Sequence, residues 1–285
     1  MIRHSVLWGL LVGIAWTSQV SAGWIIDQSV KSRGDQTKQQ IAMQGNQMKT
    51  LVVSTDGKPE MAFVLDLNNE TVTQVNYRER SYTTAKVQEY AQMIQAAIKS
   101  ATSALDEALK DLPPEQREMM EKMMQSGMPQ GKGKSEPCPE PRIEMRKTGQ
   151  QAPIAGHPSI KYEVMSDGKP ESEMWIAKGI SAWKELDPKK LDRIMTELAM
   201  AAPGCGLSQG RQAGFGKDNA WKLANEGYAV KTVDLGGTGT TVEVTKAEAR
   251  AIPASEFQPP AGFTRRDLSE MMGQGGPKGK PRGPQ

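Results

Sequence analysis

Residues 48–77 read MKTLVVSTDGKPEMAFVLDLNNETVTQVNY, and the punctuation inside this stretch decides the fold. Met48 to Ser54 is an apolar, β-branched run. Asp56-Gly57 then reads as a two-residue hairpin turn of type I′, in which both central residues take positive φ. Met61 to Leu67 answers the first run, Asn68-Asn69 turns the chain again, and Thr71 to Tyr77 follows. Two tight turns between short alternating runs describe an antiparallel meander. Upstream, Trp24-Ile25-Ile26 opens the first strand, and Gln39 to Met43 and Met48 to Ser54 continue it.

Downstream the period changes. Val87, Ala91, Ile94, Ile98, Ala101, Leu105, Ala108 and Leu112 recur at three- and four-residue steps, with Lys86, Glu89, Gln92, Gln95 and Lys99 off that face. This is one apolar stripe of a helix, expected to lie across the sheet and cover its apolar side. Pro113-Pro114 ends this helix and starts a second, which carries Met119, Met120, Met123 and Met124 and stops near Gly127. A Gly-, Pro- and Lys-rich link follows over 127–141. Arg142 to Lys147, Ile160 to Met165 and Glu173 to Ala177 read as strands, the last two joined by Asp167-Gly168. Asp187 is an N-cap before Pro188 at the first helical position. The stripe of that helix is Leu191, Ile194, Met195, Leu198 and Ala202. A last meander runs through Ala220 to Ala224, Tyr228 to Leu235 and Thr240 to Thr245, turned at Gly236-Gly237. The pentapeptide Asp56-Gly57-Lys58-Pro59-Glu60 recurs as Asp167-Gly168-Lys169-Pro170-Glu171. It marks either equivalent hairpins in two halves of one sheet or chance reuse of good turn chemistry.

The first 22 residues have the pattern of a secretory signal: Arg3 and His4, an apolar run from Val6 to Trp16, and a small-residue exit at Val20-Ser21-Ala22 before Gly23. The apolar run is far short of the roughly 20 residues a membrane span needs. The expected product is a soluble, monomeric, exported protein of a bacterial periplasm. It has one domain over 23–265, with a helical insert at about 85–127 and a Gly/Pro/Lys tail over 266–285. Cys138 and Cys205 both lie in breaker-rich loops. An even count in an oxidising compartment favours a Cys138–Cys205 disulfide over two free thiols.

Composition narrows the chemistry. With 36 Lys+Arg against 33 Asp+Glu, evenly spread, a net charge of +3 is too small for a nucleic-acid footprint. The two histidines, His4 and His157, leave one after export, which starves any His-dependent triad; no G-x-S-x-G elbow is present. His157 reads as a turn residue. Gly204-Cys205-Gly206 and Gly236-Gly237-Thr238-Gly239 lack the spacing and the following helix of a phosphate loop. Cys138, Cys205 and His157 lack a zinc-chelating spacing. No catalytic residue and no cofactor is expected. The unusual supply is methionine, 17 in all. Met119/Met123 and Met120/Met124 share helix faces. They read as an adaptable apolar surface, with soft Cu(I) ligation as the alternative.

Three stretches carry a resemblance. Asn46-Gln47-Met48-Lys49 before Leu51-Val52-Val53, Ile154-Ala155-Gly156-His157 before Lys161-Tyr162-Glu163-Val164, and Val242-Glu243-Val244 through Ile252-Pro253 to Phe257-Gln258-Pro259-Pro260-Ala261-Gly262-Phe263 are similar to the secreted family called domain of unknown function 4412. The order of meander, helices, hairpin, helix and last meander resembles the lipoprotein-carrier fold. That resemblance implies an α+β protein whose curved antiparallel sheet, an open half-barrel, is covered by amphipathic helices. It implies a fold without an activity. The expected function is non-enzymatic: an apolar ligand, or another envelope protein, held in the hollow. Ile94, Ile98, Met119, Met120, Met123 and Met124 are the expected facing residues. A copper-handling protein and an interaction module without a small ligand are the alternatives.

Overall fold

The structure is a computed structural model that describes residues 22–110, 142–201 and 225–268, with positions 113, 116 and 270. Six strands come first: β1 (Gly23–Ser32), β2 (Asp35–Gln44), β3 (Gln47–Val53), β4 (Pro59–Asp66), β5 (Thr71–Asn76) and β6 (Ser81–Lys86). Helix α1 (Val87–Lys110) follows without a break. Then come β7 (Ile143–Ile154), β8 (His157–Ser166), β9 (Lys169–Ala177), a 3₁₀ turn at Ala182–Glu185, and helix α2 (Pro188–Ala201). Strands β10 (Tyr228–Asp234) and β11 (Thr241–Arg250), a second 3₁₀ turn at Ala254–Phe257, and the short β12 (Thr264–Arg265) complete the described chain.

All twelve strands belong to one open sheet, in the order β12-β6-β5-β4-β3-β2-β1-β11-β10-β9-β8-β7. Every pairing is antiparallel except that of β12 with β6. The meander is finer than the sequence suggests. Between Gln39–Met43 and Met48–Ser54 the chain reverses at Gly45-Asn46, φ +57° and +67°, and before β2 it reverses at Arg33-Gly34. Strand β6 escapes sequence reading because its inward positions are Ser81, Thr83 and Ala85. They are buried as completely as aliphatic residues but carry no hydrophobic signature.

Alternation along β1–β5 sorts side chains onto two faces. On one, Ile26, Ile41, Met43, Leu65 and Val72 join Val87 of α1 and Leu191 and Ile194 of α2 in the main core. On the other, Ile25, Ala42 and Val64 are sealed by Ile252 and Phe257 from the C-terminal segment. That segment is held at several points. Gln44 exchanges two hydrogen bonds with the backbone of Ile252, at 2.8 and 3.1 Å. Buried Lys49 pairs with Glu256 at 2.7 Å. Phe263 meets Tyr77 edge to face at 5.5 Å, a contact worth about 0.5–1.5 kcal/mol beyond area burial.

The helix layer differs from the expectation. Helix α1 touches β5 and β6, but its principal contact is α2, so helix packs on helix over part of one face. Val87, Ala91 and Leu109 are buried, whereas Ile94 and Ile98 are half-buried. In α2, Leu191 and Ile194 face the core as the period requires, but Met195 is 51% exposed. Ala202, Leu112 and the strand read at Ala220–Ala224 lie outside the described residues. No helix among the described residues is long and apolar enough to cross a membrane.

Candidate ligand-binding site

The two helices are fixed by polar contacts at one end of the sheet. Asn46, held at positive φ by its hairpin, is the hub. Its N–H donates to the Glu185 carbonyl (2.8 Å), and its own carbonyl accepts from Leu67 N–H (2.9 Å). Its side-chain oxygen accepts from Asp187 N–H (2.7 Å), and its amide nitrogen donates to Asn68 Oδ1 (3.1 Å). One residue thus joins the β2–β3 turn, the β4–β5 turn and the approach to α2. Asp187 caps α2 by accepting from Lys189 and Lys190 N–H, as the sequence predicts. Arg193 of α2 pairs with Glu70 of the β4–β5 turn. Asp66 braces that turn. Burial alone would raise its carboxyl, but hydrogen bonds from Asn69, Gln47 and Asn68 outweigh burial and hold it below the usual range.

Between the helices so placed lies a cleft of about 390 Å³. Gln95, Ile98, Lys99, Thr102 and Ser103 of α1 line one side and Met200 of α2 the other. The α1 residues fall at the three- and four-residue steps that put side chains on one helix face. Thr102 spends its hydroxyl proton on the Ile98 carbonyl at 2.9 Å. Met200 is 74% exposed, so a thioether stands at the cleft with water around it.

On the sheet, apolar side chains continue beyond the helices. Next to buried Leu65, the same face carries Phe63, 37% exposed, and the half-buried pair Val52 and Met61.

Of the expected facing residues, Ile98 lines the cleft, and Ile94 is half-buried one turn earlier on α1. Met119, Met120, Met123 and Met124, like Cys138 and Cys205, lie outside the described residues. Sequence reading misses Lys99 and Met200. Lys99 falls off the apolar stripe, and Met200 falls outside the period that marks α2's core face. Phe63 reads only as part of a strand.

The shifted ionisable groups serve structure. Tyr228 is fully buried, stacks on Trp183 at 5.8 Å, and has its hydroxyl pushed far up by burial. Burial, then the Glu226 carboxylate it bonds at 3.2 Å, raises Tyr162. His157 stands at the start of β8, directly after the Ala155-Gly156 turn. Among the described residues no three His, Cys, Asp or Glu side chains stand together as a metal site would need.

The fold and cleft define a class: an open, mostly antiparallel sheet with a two-helix layer over part of one face. Residues 101–263 match the family model described as Domain of unknown function (DUF4412). This is more than half of the chain, and the protein belongs to that family. No curated protein matches it. Among solved structures it is loosely similar to an uncharacterized conserved protein from Thermus thermophilus, with 8% identity, 87% of this chain and 92% of that one covered, and a TM-score of 0.40. It is similar also to PNGF-II, with 11% identity, 89% and 33% covered, and a TM-score of 0.35. A third is MucB in the Pseudomonas aeruginosa MucA/MucB complex, with 10% identity, 85% and 57% covered, and a TM-score of 0.35. The chain thus spans a third of the PNGF-II chain and little more than half of MucB. None of these scores reaches 0.5.

Proposed function

We propose that this is a non-enzymatic, exported binding protein of the bacterial envelope that holds an apolar chain against its helix layer. The observation that carries the reading is the cleft between α1 and α2, with Ile98 and exposed Met200 among its lining residues. Volumes of a few hundred cubic ångströms with mostly apolar walls are what small ligands occupy. The half-exposed Phe63, Val52 and Met61 supply further apolar surface on the helix-bearing face, in the manner of a half-barrel floor. The secretory pattern of the first 22 residues supports export, with a mature chain beginning at Gly23.

The test is native mass spectrometry of the protein purified from its own periplasm. A co-purifying lipid-sized mass is expected. It should be lost from the Ile98→Asp variant while the circular dichroism spectrum is kept, because Ile98 is only half-buried. Copper in place of lipid would overturn the reading in favour of metal handling by the Met-rich segment. No adduct in either form would leave an interaction module.

A further inference from the structure

We infer that the α1–α2 cleft selects a single-chain amphiphile with an anionic head, its chain on Ile98 and Met200 and its head on Lys99. This rests on the binding reading above and adds the head-group chemistry to it. The apolar contribution comes from both sides of the cleft, Ile98 from α1 and Met200 from α2. The charge comes from one place. Among the described lining residues Lys99 is the only ionic group, and none of them is Asp or Glu. Among the described residues, no carboxylate stands within ion-pair distance of Lys99, whereas Arg193 on the facing helix is already taken by Glu70.

The polar groups beside Lys99 fit the same occupant. Thr102 has spent its proton on the helix backbone, but the Ser103 hydroxyl and the Gln95 amide have no partner among the described residues. They sit one turn to either side of Lys99 on the same helix face. A carboxylate or a phosphate monoester on Lys99 offers a further acceptor to whichever of the two donors it lies toward, Ser103 or Gln95. A trimethylammonium head offers none and brings a like charge to Lys99. The shared ligand chemistry is therefore an acyl or alkyl chain ending in a carboxylate or phosphate.

The experiment uses the full mature chain and isothermal titration with four twelve-carbon probes below their micellar concentrations: dodecanoate, dodecyl phosphate, monododecanoyl glycerol and dodecyltrimethylammonium. The two anions should bind at least about tenfold more tightly than the cation, the discrimination expected of one charge-assisted contact. The ratio of the two anions tells carboxylate from phosphate. Lys99→Glu should reverse the order of anion and cation and leave the neutral glyceride unchanged. Lys99 is exposed, so the variant keeps its fold. Equal binding of all four heads, or an order untouched by Lys99→Glu, overturns the head-group assignment while the apolar-chain reading stands. Failure of every probe to bind overturns both.

Discussion

Asp56–Glu60 and Asp167–Glu171 are the same five residues, and the chain uses them in two ways. At the second site Asp167-Gly168 is a two-residue turn with both residues at positive φ, +50° and +79°, as the type I′ reading requires. At the first only Gly57 is positive, at +84°. Gly57 N–H bonds the Ser54 carbonyl at 3.0 Å and Ser54 N–H bonds the Lys58 carbonyl at 2.9 Å, so the loop holds three residues, not the two expected. The cause lies outside the pentapeptide. Ser54 bonds Lys58 through its hydroxyl as well as its backbone, which closes the wider loop. Asp167 instead exchanges two hydrogen bonds with Arg142, the residue just before β7: its N–H donates to the Arg142 carbonyl and its Oδ1 accepts from Arg142 N–H.

After the glycine the two sites agree. Pro59 stands opposite Val53 and Pro170 opposite Met165, and in each case the next residue has no partner in the register. Proline lacks the N–H that the ladder needs, and the strand bulges at the following glutamate. The glutamate carbonyls then accept from the end of the adjacent strand or just beyond it, Glu60 from Tyr77 N–H and Glu171 from Leu235 N–H. The repeat is therefore a shared bulge with two different turns. Residues beyond a turn set the bulge, while the residue before it and the neighbouring strand set the turn.

The widest contrast is expected from proline. Asp167→Pro removes an N–H in use and demands negative φ where +50° is needed, so it should cost about 3 kcal/mol or more in urea unfolding. Thr55→Pro occupies the second position of a type I turn, where proline is preferred, and should change stability by less than about 1 kcal/mol. Comparable losses in both would mean that the two loops are alike after all.

Alanine should abolish the contrast. Gly57 and Gly168 both hold positive φ with open space around them, so either alanine variant should cost about 1 kcal/mol. A loss at one site alone would break the equivalence.

The smallest effect concerns the bulge glutamates. Burial pushes the Glu171 carboxyl above its ordinary range, and Asp234 and Asp167 push the same way against a hydrogen bond from Ser166. One of its oxygens is buried without a partner. A carboxyl whose folded pKa is raised favours the folded state most at acid pH, and that contribution is lost as pH rises through the folded value. Glu171→Gln should therefore raise the melting temperature at pH 7, with the gain vanishing on acidification. Glu60 pairs at the surface with Arg78, so Glu60→Gln should stay within about 0.5 kcal/mol at every pH. Scanning calorimetry at three pH values separates the two.

The same distinction explains how far sequence reading reaches. Long periods and caps are legible: the antiparallel meander, the span of α1 and the Asp187 cap stand where residue chemistry puts them, whereas the type of the Asp56-Gly57 turn and the sheet-covering role of the α1 stripe do not. Strand β6 is hidden because Ser81 and Thr83 do the inward packing. The β2–β3 reversal has a local signal, the Gly45-Asn46 pair that tolerates positive φ, but it is overlooked when Asn46 is read as part of a family pattern. Of the cleft, Ile98 is legible from the helical period. Lys99 and Met200 are not, since what places them opposite one another is the meeting of α1 with α2, and no local pattern encodes that encounter.

The position of β1 has a consequence in time. The first strand of the described chain lies in the interior of the sheet, paired on one side with β2 and on the other with β11. The contact between Asp27 and Thr245 spans 218 residues of sequence. Loop closure of that length must be met before the pairing returns anything, which makes high-contact-order sheets slow to form. The β1–β6 meander can zip from neighbour to neighbour, but one flank of β1 stays an open edge until β11 arrives. A chain threaded outward from its N-terminus would thus pass most of its length before the sheet could close around its first strand.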